Sequence, residues 1–274
     1  MSAIIQRVLR ALPEFHGKLR LARLLLGDLH GAAVIKDRFG FTFEVPDLKE
    51  PIAFHLLING AYEPRIQDLM LRTLRPGDVF IDVGANIGTF ALPAAKRVGP
   101  QGRVVAIEAS PDVFKFLEKN VALNRASNVQ LVCAAAGAVD GNTNFYPAPA
   151  DHFGMGSRAP QFNAAPISIL SVTVDSLVQK FNLPSVDVIK IDVEGFELDV
   201  LKGAIGLLNG EKAPLIVFEF CDWAEARGQG QTVGTAQRFL LDCGFKLWRA
   251  GDYLHSNPIL SPLTTGTEML VAER

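Results

Sequence analysis

The sequence predicts an α/β fold built on an open, mostly parallel sheet with helices on both faces. Three observations carry this reading. Beyond Asp78, short apolar runs alternate with longer segments of helical periodicity, the pattern of successive strand and helix units. The stretch DVFIDVGANIGTF, from Asp78, runs from an apolar strand through two glycines into a helical pattern, which makes it the first strand-to-helix turn, where open sheets receive nucleotide-like ligands. An acid, Glu108, then closes the second apolar run, VVAIEASPDVF.

The elements follow in order. MSAIIQRVLRALPEFHGKLRLARLLLG carries Ile4, Ile5, Val8, Leu9 and Leu12 at helical spacing, with Arg7, Arg10, Lys18, Arg20 and Arg23 between apolar positions. It reads as amphipathic helix broken near Pro13, its basic side facing solvent while the other packs on the domain; a peripheral membrane role is the weaker alternative. AAVIKDRFGFTFEV alternates on both sides of Asp37 to Gly40, as a hairpin does. The pattern over 51–74 is helical again. Residues 1–60 are expected to form a helical and hairpin extension, and 61–274 the main domain. Strands are expected at 79–83, 103–107, 129–133, 186–191 and 214–218, and helices at 88–98, 112–124, 197–209 and 232–242. The segment 145–166 is rich in proline and lacks periodicity, the mark of a functional loop or a disordered one. ISILSVTVDSLVQKF then reads as an added strand entering a short helix, and EMLVAER as a closing strand.

With 274 residues, 49% of them hydrophobic, the chain can bury a sizeable core. A net charge of −2 lacks the basic footprint of a nucleic-acid binder. Cys133, Cys221 and Cys243 are scattered and unpaired by motif, so neither a disulfide framework nor a metal site is expected, and a cytoplasmic setting fits. No apolar run reaches membrane-spanning length.

The chemistry concentrates in the turn after the first strand. A dinucleotide site would place GxGxxG there to bring pyrophosphate onto a helix amino terminus, but Gly84-Ala85-Asn86-Ile87-Gly88 lacks the middle glycine and is preceded by Asp82. A carboxylate there repels pyrophosphate and attracts a cation. S-adenosylmethionine, with its sulfonium and ammonium groups, is such a ligand. Glu108, followed by Ala109, can accept both ribose hydroxyls, a role shared with nicotinamide enzymes. Ala134 and Ala135 leave room for a flat base. Glu63, in AYEPRI, either starts a helix before Pro64 or closes over the amino-acid end of the cofactor.

A second centre is IDVEGFE. On a strand, Asp192 and Glu194 would share a face, with Val193 opposite. Glu219, in VFEF, brings a third acid, while Glu197 suits the first turn of the following helix. The sulfonium loses its charge as methyl leaves, so an anion against sulfur stabilises the ground state more than the transition state. A useful carboxylate therefore faces the acceptor, where it removes a hydroxyl proton. Asp192 is the first candidate, also bordering the cofactor, with Glu194 and Glu219 beside it. His152 in the irregular loop is a further candidate base, and carboxylates could alternatively hold a divalent cation.

The phrases DVFIDVGANIGTF, VVAIEASPDVFKFLEKNVALN, VQLVCAAAGAVDG and VDVIKIDVEGFELDVLKGA, with AYEP before and LIVFEF after, resemble the FkbM-type methyltransferases, a branch of the class I S-adenosylmethionine-dependent enzymes. The resemblance runs over roughly 61–220. It implies a seven-stranded Rossmann-like sheet with the last strands antiparallel. It also implies methyl transfer to oxygen, typically a hydroxyl of a sugar or natural product. Two other readings stand beside it: a nicotinamide-dependent oxidoreductase or epimerase, and a cofactor-binding fold used only for interaction.

Overall fold

The computed structural model describes residues 2–13, 15, 17–228 and 232–274; the side chains of Ser2, Ala3, Ile4, Gln6 and Ala150 also lie outside the described set. Two short helices open the chain, α1 (Ser2–Ala11) and α2 (Lys18–Leu26), on either side of the expected break at Pro13. The hairpin follows as β1 (Ala33–Lys36) and β2 (Thr42–Val45), its turn held by the Asp37 carboxylate, which accepts the Phe39 and Phe41 N–H groups. Helices α3 (Pro51–Asn59) and α4 (Pro64–Thr73) each start on a proline, whose missing N–H costs nothing at a helix's first position.

The main domain begins with β3 (Val79–Val83) and α5 (Ala91–Val98), then β4 (Arg103–Glu108), α6 (Pro111–Leu123) and β5 (Val129–Cys133). Helix α5 starts later than the periodicity suggests because Gly88, at φ 93°, belongs to the turn. An unexpected small sheet comes next: β6 (Ala135–Ala136), β7 (Gly141–Phe145) and β8 (Ile167–Val172), the last being the foreseen added strand. Within the irregular segment a short 3-10 stretch spans Ala150–Met155, and Tyr146 bridges Ser157. Helix α7 (Val174–Lys180) leads to β9 (Val188–Ile191).

The single helix expected over 197–209 is two, α8 (Glu197–Lys202) and α9 (Ile205–Leu208). Gly203 sits so close to the Gly137 carbonyl that a Cβ would lie 2.0 Å from its oxygen, and the Asp175 carboxylate caps Gly206 and Leu207 as a fresh helix start. Then come β10 (Leu215–Cys221), α10 (Asp222–Glu225), α11 (Thr235–Asp242), β11 (Lys246–Arg249) and β12 (Thr267–Glu273). Neither α10 nor β11 was foreseen; β10, α11 and β12 lie within a few residues of expectation.

The seven-stranded sheet has the order β11-β12-β10-β9-β3-β4-β5. Only β12 runs against its neighbours, since β11 and β10 both pair antiparallel to it. The expectation that the last strands, in the plural, would be antiparallel is therefore corrected to one. All five residues of β3 are buried: Val79, Ile81 and Val83 pack with Val105 and Ile107 on one face, and Phe80 packs with Val104 and Ala106 on the other. Covering both faces explains why these strands read as continuous apolar runs.

The amino-terminal elements are tied into this core by a buried amide. Asn120 of α6 accepts the Glu44 N–H at 2.7 Å and donates to the carbonyls of Glu44 and Ile87 at 3.2 and 3.0 Å. One side chain thereby fixes the hairpin, α6 and the glycine turn relative to one another. Among the described residues, no helix is long and apolar enough to cross a membrane.

Candidate functional site

A cleft with about 1110 Å³ of empty space opens at the carboxyl ends of β3, β4, β9 and β10, where an open parallel sheet binds its ligands. Its floor comes from Gly84, Asn86, Glu108, Lys190 and Glu219. Its roof comes from two segments: Glu50 to Ile52 at the start of α3, to which the sequence reading gave no role, and Phe153 to Arg158 of the irregular loop it read as functional. Residues of the expected extension thus form part of the site wall.

One end of the cleft is organised by backbone. Glu108, at the tip of β4, accepts the Asn86 N–H at 2.9 Å on one carboxylate oxygen and the Ser110 N–H at 2.8 Å on the other. Burial pushes its carboxyl up to about 7, against the lowering effect of those N–H groups. Asn86 adopts a left-handed conformation, φ 51°, that asparagine tolerates, and its side-chain oxygen accepts the Ile87 N–H. Ala109, Ala134 and Ala135 line this end with small apolar surface.

The other end gathers charge. Lys190, almost fully buried in β9, places its ammonium 3.1 Å from Asp192 and 4.8 Å from the centre of the Phe90 ring, and lies in register with Asp82 on β3. Burial alone would lower its pKa, but Asp192, Asp82 and Glu63 outweigh that and hold it above the ordinary value. The acids around it are raised as well, which for a carboxyl disfavours the charged form. Burial, then the Asp192 charge, pushes Glu63 up to about 7 and Glu194 up to about 7. Glu219 is driven far above the usual carboxylate range by burial and by Asp192, Glu197 and Glu194. More acids than one lysine can neutralise converge here.

The turn that delivers Asp192 and Glu194 differs from the strand expected. Strand β9 ends at Ile191; Glu194 is left-handed at φ 56° and Gly195 at φ 96°, so period-two alternation does not apply to 192–194. Asp192, Val193 and Glu194 all border the cleft. The buried Glu197 carboxylate holds the turn by accepting the Val193 and Gly195 N–H groups at 3.1 and 3.3 Å. Gly84 is required by the same turn: a Cβ there would lie 1.9 Å from the Asp192 carbonyl oxygen. Gly84 thus packs on protein backbone while also bordering the cleft.

Of the other expected residues, Asp82 is fully buried and lies outside the cleft wall, neither oxygen hydrogen-bonded. Burial raises it to about 6 while Lys190 opposes the rise. Its charged neighbour is the Lys190 ammonium, with which it lies in register. Ala85 and Gly88 also turn away: the Ala85 N–H bonds the Ile107 carbonyl, and Gly88 packs on Leu117. Glu63 occupies the position before α4 but bonds no helix N–H, and its Oε2 is buried without a partner. The His152 ring faces Asp151, 3.0 Å away, and is not part of the cleft wall. Among the described residues, no group of three or more His, Cys, Asp or Glu side chains is arranged to hold a metal ion.

Sequence reasoning missed Lys190, Tyr62, Glu50 and Arg158. For Lys190 a signal existed, since a lysine inside an apolar run that must be buried on both faces demands a partner. Tyr62 meets Phe90 edge-on at 6.4 Å, and Arg158 pairs with Asp199 at 2.7 Å. Neither has a local signature.

The cleft suits S-adenosylmethionine. Glu108 presents a pre-oriented carboxylate beside small residues, as a ribose and a flat base require. The partnerless Glu63 oxygen suits the ammonium of the amino-acid end. A buried acceptor left unpaired costs about 1–3 kcal/mol, more when charged, which a cationic ligand would offset.

Comparison with known proteins agrees. Residues 82–247 match the model of the methyltransferase FkbM domain. The chain is 31% identical over 141 residues to the hexuronic acid methyltransferase AglP of Haloferax volcanii, covering 52% of this chain and 56% of that protein. It is 34% identical over 170 residues to methyltransferase 1 of Beauveria bassiana, covering 54% of this chain and 66% of that one. The chain thus spans between half and two thirds of the length of these relatives. An FkbM methyltransferase structure from Methylobacillus flagellatus aligns at 17% identity and a TM-score of 0.46, over 73% of this chain and 44% of the other. With the matched model covering more than half of its length, the chain belongs to the FkbM methyltransferase family, a class I family whose methyl donor is S-adenosylmethionine.

Proposed function

We propose that the protein transfers the methyl group of S-adenosylmethionine to a hydroxyl of a sugar or natural-product acceptor, and that Glu194 takes the hydroxyl proton. The observation that carries this reading is the gathering of Asp192, Glu194 and Glu219 at one end of the cleft, away from the backbone-held Glu108. The relative from Haloferax volcanii is named for action on a hexuronic acid, which supports a carbohydrate acceptor.

When bound, S-adenosylmethionine supplies an electrophilic methyl group. The protein's part is to hold the donor through Glu108 and the small residues beside it, and to aim the acceptor oxygen. Asp192 is committed to its ion pair with Lys190. Glu194 makes no ion pair within 4 Å among the described residues and has a carboxyl near 7, so it can exchange a proton at neutral pH. The O–H bond breaks as the oxygen attacks, and the proton passes to the Glu194 carboxylate. A protonated Glu219 can donate a hydrogen bond to the acceptor without placing a second anion near sulfur. Alignment of the reacting atoms supplies the rest.

Incubation with labelled S-adenosylmethionine and a panel of neutral sugars, uronic acids and phenolic natural products tests this. The expected product is a base-stable methyl ether. A base-labile methyl ester would place transfer on a carboxylate oxygen, which has no proton to remove, and would contradict the role given to Glu194. Absence of transfer to every acceptor despite donor binding would favour the non-catalytic reading.

A further inference from the structure

We infer that the outer face of the two amino-terminal helices is a docking surface for anionic lipid bilayers. The inner faces are accounted for: Leu9 and Ala22 pack with Phe54 and Ile58 of α3, and the Lys18 ammonium donates to the Leu12 carbonyl. The outer face departs from the solvated surface expected of a packing helix. Leu21, Leu24 and Leu25 stand at i, i+3 and i+4 on α2, one face of a helix, and all three are exposed, Leu24 to 81%. Val8 and Leu12, at i and i+4, are exposed on and just beyond α1, and Phe15 is exposed in the connection. Such a concentration of large apolar side chains in water marks an interaction site.

The charges around these residues decide the occupant. Arg7 and Arg20 are exposed in the same two helices, Arg23 is exposed but lies over the Phe54 ring of α3, and among the described residues 2–27 there is no acid. Glu14 lies outside the described set. The rest of the chain supplies the acids that bring the net charge to −2, so positive charge is segregated with exposed leucine. A second protein with an ordinary mixed surface would need acids placed opposite each arginine. An anionic bilayer meets both demands at once: headgroups take the arginines at any position, and the interface accepts the leucines. The short helices cannot span a bilayer, so the mode is to lie on its surface. Helix α3 carries these helices on one side, and its first residues, with Glu50, form part of the cleft roof, so docking would hold the site close to the lipid surface.

The test is sedimentation of the purified full chain with vesicles of phosphatidylcholine alone and with about one third phosphatidylglycerol, at low and high salt. Binding is expected only to the anionic vesicles and is expected to weaken with salt. The double variant Leu24→Glu, Leu25→Glu should weaken it at least tenfold, and Arg7→Gln with Arg20→Gln several-fold. Unchanged binding of S-adenosylmethionine by both variants would show that they fold. Absence of binding to anionic vesicles, or equal binding by the leucine variant, would overturn the inference. So would a stable dimer that the leucine variant converts to monomer without any vesicle binding by the wild type, since the face would then serve a second copy of the chain.

Discussion

The two ends of the cleft are built on opposite physical terms. At the Glu108 end the Glu108 and Asn86 side chains are held by backbone N–H groups, and the apolar residues are small. Burial raises the carboxyls at both ends, Glu108 included, but at the Lys190 end the Asp192 charge adds to the rise at Glu63, Glu194 and Glu219. The first arrangement is preorganised to bind; the second stores unfavourable electrostatics that can be released when a proton moves. The difference assigns recognition of the donor's nucleoside to one end and chemistry on the acceptor to the other, where Glu63 also meets the donor's ammonium.

That division can be broken most severely at Glu194. Glu194→Gln should reduce methyl transfer by roughly 100- to 10,000-fold, the range for a lost general base, and remove a rise of kcat with pH centred near 7. Steady-state rates between pH 5.5 and 9 check both features; a variant that keeps both would move the base to Asp192.

Lys190 is the next point of attack. Lys190→Met removes the cation facing Asp192, Asp82 and Glu63 and should lower stability by about 3–5 kcal/mol, the cost of uncompensated buried charge. Denaturant unfolding measures it. The loss should deepen as pH rises from about 5 to 8, because carboxyls whose folded pKa lies above the unfolded value stabilise the fold at low pH and lose that contribution as pH climbs through the folded value. A smaller effect, steric in origin, is expected at Gly84→Ala. The added Cβ would strike the Asp192 carbonyl in a left-handed backbone, costing about 2–4 kcal/mol and disturbing both ends together.

Glu108→Ala should weaken S-adenosylmethionine binding by about 1.5–3 kcal/mol, the scale of hydrogen bonds to a charged group, read by calorimetry. The smallest effect is a gain. Glu219→Gln removes a carboxyl whose folded pKa is raised far above its unfolded one, so the variant should be more stable than the wild type at pH 8 by about 1–2 kcal/mol, the difference fading as pH falls toward 4.5. A destabilised Glu219→Gln at pH 8 would mean that this carboxylate is ionised and needed.

The same contrast explains what the sequence could disclose. Strand tips and the glycine turn are local features: apolar runs, positive-φ positions and an acid closing a strand are each written in a few adjacent residues. Gly84, Asn86 and Glu108 were legible for that reason. The roof was not, because Glu50 and Phe153 meet across the cleft only through tertiary packing. Asp82 was picked out without its partner, since Lys190 lies on a strand far along the chain and only the sheet register brings them together. The acids at 192 and 194 were found by pattern, yet their presentation depends on Glu197 holding a left-handed turn that strand periodicity does not encode. On the amino-terminal helices, periodicity identified amphipathic segments correctly. It could not tell which apolar positions would be covered, because α3 covers only one side.

The division between the ends is tested most directly by a crossed measurement: donor affinity by calorimetry and single-turnover rate at saturating donor, for Glu108→Ala and Glu194→Gln side by side. Glu108→Ala should lose donor affinity by roughly 10- to 100-fold, the equivalent of the binding loss given above, and keep its single-turnover rate within about threefold. Glu194→Gln should keep donor affinity within about threefold and lose at least about 100-fold in rate. If Glu194→Gln instead loses the donor and turns over normally once saturated, the acid end serves the donor and the division of labour is wrong.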